Sequence, residues 1–190
     1  MKYNNFLYRR QFLLANRIIP LFPEWNSVKL LNDKYIYSHP DLPITHKIKD
    51  TLQIVLIGNI YDYRSVEKNN ESILCDIISK SNTFSNFIET IKIYSGQYAF
   101  VFIQNEDGKF KIVQDPLALR EIYYCTSPNK VICASQPNLV TEFSEPKIHV
   151  TKKKEILDFY NGEFKKKFSG RNWIGDETYF DGIKHLLSSF

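Results

Sequence analysis

Apolar and polar positions change their period along the chain, and those changes divide it into elements. Residues 1–48 carry short apolar groups interrupted by Pro20, Pro23, Pro40 and Pro43, a pattern of strands and turns rather than long helices. Thr51 to Ile57 is an almost continuous apolar run, which predicts a strand stopped by Gly58. Ile73, Leu74, Ile77 and Ile78 then recur at helical spacing, predicting a helix over Glu71 to Ser79 with Asn69 or Asn70 as N-cap. Phe84, Phe87, Ile88 and Ile91 predict a second helix that ends near Gly96.

The period then returns to that of strands. Gln97 to Gln104 is apolar almost throughout, as a strand covered on both faces would be. Asp107-Gly108 is a hairpin signal, and Lys109 to Asp115 alternates through Phe110 and Ile112. Glu121 to Thr126 and Lys130 to Ser135 form a further strand pair around Pro128-Asn129. Strands, two grouped helices and a four-strand meander predict a layered α+β architecture. Beyond Ser135 the pattern weakens. Thr151 is placed to cap a short helix through Ile156, Leu157 and Tyr160, and Gly162 to Gly175 has the character of exposed connection.

Composition narrows the class without touching chemistry. The 190 residues, 43% apolar and 24% charged, fit one soluble domain able to bury about 70% of its unfolded surface. Aromatics at 15% predict a ring-rich core, and only 7 glycines leave little room for Gly-rich phosphate loops. Phe12-Leu13-Leu14-Ala15 is broken by Asn16 and Arg17, which argues against a signal peptide or a membrane span. Cys75, Cys125 and Cys133 are odd in number and lack C-x-x-C spacing, so a reducing, cytoplasmic setting is expected and each is expected to be a small core residue.

His39, His46, His149 and His185 are too scattered for a metal site and are expected at the surface or in turns. No phosphate-loop, dinucleotide or nucleophile-elbow motif occurs, so no cofactor is expected. Lys152-Lys153-Lys154 and Lys165-Lys166-Lys167 are interleaved with aromatics, but Glu155, Asp158 and Glu163 lie between them. A solvated face is the better reading than a nucleic-acid surface.

An ordered series of short motifs carries a family resemblance. Gly96-Gln97-Tyr98-Ala99-Phe100-Val101-Phe102, Asp115-Pro116-Leu117-Ala118-Leu119-Arg120-Glu121-Ile122-Tyr123-Tyr124 and Ala134-Ser135 resemble the glutaminase domain of asparagine synthetases, a class II glutamine amidotransferase domain. Leu56-Ile57-Gly58-Asn59-Ile60-Tyr61-Asp62 falls where that family has an Asn-Gly-Glu-Ile-Tyr-Asn turn. Thr178-Tyr179-Phe180-Asp181-Gly182-Ile183-Lys184-His185-Leu186 resembles the segment leading out toward the synthetase half. The resemblance implies an N-terminal-nucleophile hydrolase fold, a four-layer αββα sandwich of two antiparallel sheets between helices.

The same resemblance identifies what is missing. Such glutaminases need a cysteine directly after the initiator Met, with its α-amine nearby as base. Here Lys2 follows Met1, and no Cys, Ser or Thr occurs before Ser27. The family's oxyanion-stabilising Asn-Gly pair becomes Ile57-Gly58, and the following Glu becomes Asn59. The acidic residue for the substrate amine falls near Asn69-Asn70-Glu71, with Glu71 a possible substitute, and the expected Arg near Tyr35-Ile36-Tyr37-Ser38 is absent. Ile57, Gly58, Asn59 and Glu71 are therefore the candidate residues of a vestigial pocket, with no catalytic residue expected. Asp115-Pro116 and Arg120 are expected to be a turn and a surface charge.

The expected organisation is an amidotransferase-like domain over 1–175 and, over 176–190, the start of a connection toward a missing synthetase domain. The expected function is a catalytically inactive module that packs, in cis or in trans, against an ATP-dependent amide-forming synthetase. The other expectation is a stand-alone binding module for a small metabolite, peptide or polyanion.

Overall fold

The computed structural model describes residues 8–20, 22–104, 109–127, 130–144, 149–162 and 175–187. Ten strands and four helices appear among them. Strands β1 (Phe12–Ala15), β2 (Asn26–Leu30), β3 (Lys34–Ser38), β4 (Ile44–Lys49) and β5 (Leu52–Tyr61) come first. Helices α1 (Asn70–Lys80) and α2 (Phe84–Ile91) follow, then β6 (Ser95–Gln104), β7 (Phe110–Gln114), β8 (Tyr123–Ser127) and β9 (Lys130–Ala134). Helices α3 (Pro137–Phe143) and α4 (Lys154–Asn161) and strand β10 (Lys184–His185) complete the order.

Two antiparallel sheets result. One runs β4-β5-β6-β7 and the other β10-β8-β9-β1-β3-β2. The alternation along β5 shows how they stack. Ile54, Leu56 and Ile60 join Phe87, Phe100 and Phe102 in a cluster beneath α1 and α2. Val55 and Ile57, on the other face, pack with Ala99 and Val101 against Phe12, Leu14, Ile36 and Cys133 of the six-stranded sheet. The outer face of that sheet buries Leu13, Tyr37 and Ile132 with Leu139 and Val140 of α3. Strands β5 and β6 are thus covered on both sides, so their unbroken apolar character follows from position.

The helices start where the sequence indicates. Asn69 caps α1 and forms a capping box with Ser72, and Thr83 accepts from the Asn86 amide to cap α2. Phe87 contacts Phe100 edge-on at 5.3 Å between centroids and Phe102 at 5.2 Å, which ties α2 to β6.

Several expectations are corrected. Gly58 does not stop β5; it sits inside the strand, opposite Tyr98, with φ +100°. Gly96 is likewise a strand residue rather than a helix terminus, opposite Ile60. The four later strands are not one meander: β6 and β7 belong to the four-stranded sheet, and β8 and β9 to the other. The Asp115–Glu121 segment carries the chain between them, which neighbouring strand patterns do not reveal. Helix α4 starts at Lys154, because the Thr151 hydroxyl accepts the Lys153 amide instead of capping a helix at its own position. Helix α3 leaves no helical signature in the sequence, because its apolar pair Leu139 and Val140 is too short to show a period.

Asp107-Gly108, Pro128-Asn129 and the Lys165-Lys166-Lys167 cluster lie outside the described residues. Beyond Gly175, β10 pairs with β8 at the edge of the six-stranded sheet, and Ile183 is fully buried. No helix among the described residues is long and apolar enough to cross a membrane.

Candidate functional site

The candidate residues diverge because they lie on a strand. Ile57 faces the gap between the sheets and has no exposed surface, so its side chain is core. Gly58 is held at the sandwich end, its N–H donating to the Pro43 carbonyl at 2.9 Å and its own carbonyl accepting from Asn70 Nδ2 at 2.9 Å. Asn70 Oδ1 accepts from the Ile60 amide at 3.1 Å, so the first residue of α1 braces the strand on both sides of Asn59. Asn59 and Glu71 do come together, lining a groove of about 440 Å³ with Thr45 and Lys68. Glu71 is engaged there by Lys47 in an ion pair.

Arg120 is also confined at this end of the sandwich. It is 9% exposed, and its Nη2 stands 3.3 Å from where a Cβ on Gly58 would be. Its Nη1 donates to the Arg10 carbonyl at 3.1 Å, just before β1. Arg120 therefore joins the two sheets at their common edge and is not a surface charge. Burial lowers its pKa from the ordinary arginine value, opposed by the nearby Asp115 carboxylate.

Asp115 holds the turn that delivers Arg120. Its carboxylate accepts the Leu119 and Arg120 amides at 3.0 and 2.9 Å, and its carbonyl accepts the Ala118 amide at 2.9 Å. Its turn role agrees with the Asp-Pro signal. Tyr98, opposite Gly58, has its hydroxyl pKa raised to about 12, chiefly by burial and then by Asp115.

A second groove, of about 590 Å³, opens beside Arg120 and includes Gln11, Gln97, Ser135 and His185. His185 stacks on Tyr123 with centroids 4.8 Å apart, and burial depresses its pKa against a smaller opposing effect from Glu121. His185 is buried in β10, correcting its expected placement at the surface or in a turn; His39, though buried, opens a turn in which its carbonyl accepts the Leu42 amide at 2.9 Å, and His46 and His149 are exposed. Among the described residues no group of three His, Cys, Asp or Glu side chains is arranged for a metal.

The cysteines also separate. Cys133 is buried between the sheets and burial pushes its thiol up to about 12; burial also raises half-buried Cys125. Cys75 is exposed on α1, which corrects its placement in the core. It falls between the buried pairs Ile73-Leu74 and Ile77-Ile78, on the outward-facing position of that turn.

Residues 38–142 match the glutamine amidotransferase domain family, over more than half of the chain. The chain belongs to that family. The matched region begins at the end of β3 and reaches into α3, so it holds the Asn59–Glu71 groove and the Asp115–Arg120 turn of this amidotransferase domain, whereas Gln11, His185 and Leu187 of the larger groove lie outside it. No curated protein is detectably similar to the chain.

Proposed function

We propose that this glutamine amidotransferase domain does not hydrolyse glutamine and serves as a structural or recognition module for an ATP-dependent, amide-forming synthetase of the asparagine synthetase type, in cis or in trans. The sandwich of two antiparallel sheets between helices supports the N-terminal-nucleophile hydrolase architecture that goes with this reading. One observation carries the loss of hydrolysis. The Gly58 N–H is committed to the Pro43 carbonyl, and Ile57 beside it turns an apolar side chain into the core. A developing oxyanion needs preorganised donors aimed at it, and losing one donor costs about 100- to 1,000-fold in rate.

No thiol compensates. Cys133 is held protonated in the core, Cys125 is raised in pKa, and Cys75 lies on the outer face of a helix. A synthetase served by this module would take free ammonia or another amine. The free thiols fit a cytoplasmic setting.

The purified chain incubated with glutamine should release ammonia at the rate of the enzyme-free control. Turnover lost on Cys75→Ala or Cys125→Ala substitution would refute the reading. A second reading, a binding module that acts without a synthetase, draws support from the groove of about 590 Å³ at Arg120.

A further inference from the structure

We infer that the groove beside Arg120 is a binding site for a carboxylate carried on an apolar group, either a free acid or the C-terminal residue of a peptide. The inference rests on the binding reading of this groove and not on whether glutamine is hydrolysed.

The first observation is an arginine with almost no partners. Arg120 is 9% exposed, yet its side chain makes one hydrogen bond among the described residues, to the Arg10 carbonyl. Its buried Nε has no acceptor. A buried guanidinium offers five donors and cannot discharge itself by losing a proton, so leaving it this poorly matched is costly. The carboxylate that acts on it, Asp115, softens the charge but directs its oxygens to the Leu119 and Arg120 backbone amides.

The second observation is the space next to it. Arg120 lines a groove of about 590 Å³, within the size range of small-ligand sites. Arg120 is the cationic side chain on the groove itself. Arg10 lies close enough to act on Arg120 electrostatically, and Glu121, the acidic group on the same groove, accepts the Tyr123 hydroxyl at 3.0 Å. His185 has its pKa lowered by burial, so it adds no second cation at neutral pH.

The third observation sets the rest of the ligand. Leu117, Leu119 and Leu187 line the same groove and are 69%, 53% and 48% exposed. Three exposed leucines around a buried cation suit a molecule with an acid at one end and an aliphatic body. The half-buried Gln11 and the exposed Gln97, whose Nε2 donates to the Leu119 carbonyl, complete the polar side.

The test is an NMR titration of the full ¹⁵N-labelled chain with 4-methylpentanoate, 4-methylpentanamide, and a tetrapeptide ending in leucine as free acid or C-terminal amide. Both acids should shift the amides of Gln97, Leu119 and Arg120, and each amide form should bind at least about tenfold more weakly. Arg120→Gln should remove the preference for acid over amide. Leu117→Ser with Leu119→Ser, at exposed positions that leave the fold intact, should weaken the free acid about fivefold. Tighter binding of the peptide than of the free acid assigns the ligand to a chain terminus, and the reverse assigns it to a free acid. Equal binding of acid and amide, shifts confined to the Asn59–Glu71 groove, or no binding of either acid overturns the inference.

Discussion

The Arg120 guanidinium lies against Gly58, with Nη2 3.3 Å from the position a Cβ would take and the Gln97 carbonyl oxygen closer still to that position. Gly58 has φ +100°, where an L side chain is strained, and its neighbours are backbone and a confined side chain. Gly58→Ala should therefore destabilise the chain by about 3 kcal/mol or more, lowering its melting temperature by roughly 6–12 °C for a domain of this size. Thermal unfolding within a degree or two of the wild type would show that the strand end adapts freely.

Ala118 sits in the same turn at φ +50°, a conformation that costs a side chain about 1–2 kcal/mol. Glycine there removes that strain at a smaller entropic cost in the unfolded chain. Ala118→Gly should raise stability by about 0.5–1 kcal/mol in a urea titration. A lower midpoint would mean that the methyl group makes a contact worth more than the strain.

Acid stability should carry the mark of Asp62. Its side chain is 2% exposed and pairs with Arg64 through Nε at 2.8 Å and Nη2 at 2.9 Å, with the Arg64 amide adding a third bond at 3.0 Å. The Arg64 hydrogen bonds draw its pKa from 3.8 down to about 2. A depressed carboxylate stabilises the fold above its unfolded value, and that contribution fades as pH falls from near 3.8 through about 2. Asp62→Asn should flatten the pH dependence in that window. An unchanged slope between wild type and variant would remove Asp62 from the acid transition.

Thiol reagents should report three different environments. Cys75 is exposed and should react first in the native protein, and half-buried Cys125 more slowly. Cys133, with its thiol pushed up to about 12 by burial, should react only after denaturation. Mass mapping that finds Cys133 labelled ahead of Cys75 would contradict the packing between the sheets.

What the sequence disclosed depended on how locally each feature was encoded. Helices α1 and α2 were legible because Ile73, Leu74, Ile77, Ile78, Phe87 and Ile91 mark one buried side and Asn69 and Thr83 supply caps. Strands β5 and β6 were legible as apolar runs, but Gly58 and Gly96 looked like stops. Their role is set by a partner strand: they face Tyr98 and Ile60 across the β5–β6 pair. Arg120 shows the same limit at the candidate site. A charged residue after an Asp-Pro turn has the local signature of solvent exposure, and only the pairing of β1 with β3 and β9 brings Arg10 over it. Cys75 was misplaced for a simpler reason, since it is flanked by apolar residues in sequence while pointing away from them on the helix.

The split of the later strands between the sheets also sets an order of assembly. The four-stranded sheet and its two helices come from one uninterrupted stretch, from β4 at Ile44–Lys49 to β7 at Phe110–Gln114, so that half can fold as soon as this stretch has been synthesised. The other half cannot. Strand β1 must wait for β9, pairing Leu13 with Ala134 across most of the chain. Closing so long a loop is slow, and until it closes Phe12, Leu14 and Ile36 of β1 and β3 face the inner side of the finished sheet without Cys133 of β9. The packing between the sheets is therefore completed only once β9 has been made, when Cys133 joins Phe12 and Leu14 against Val55 and Val101.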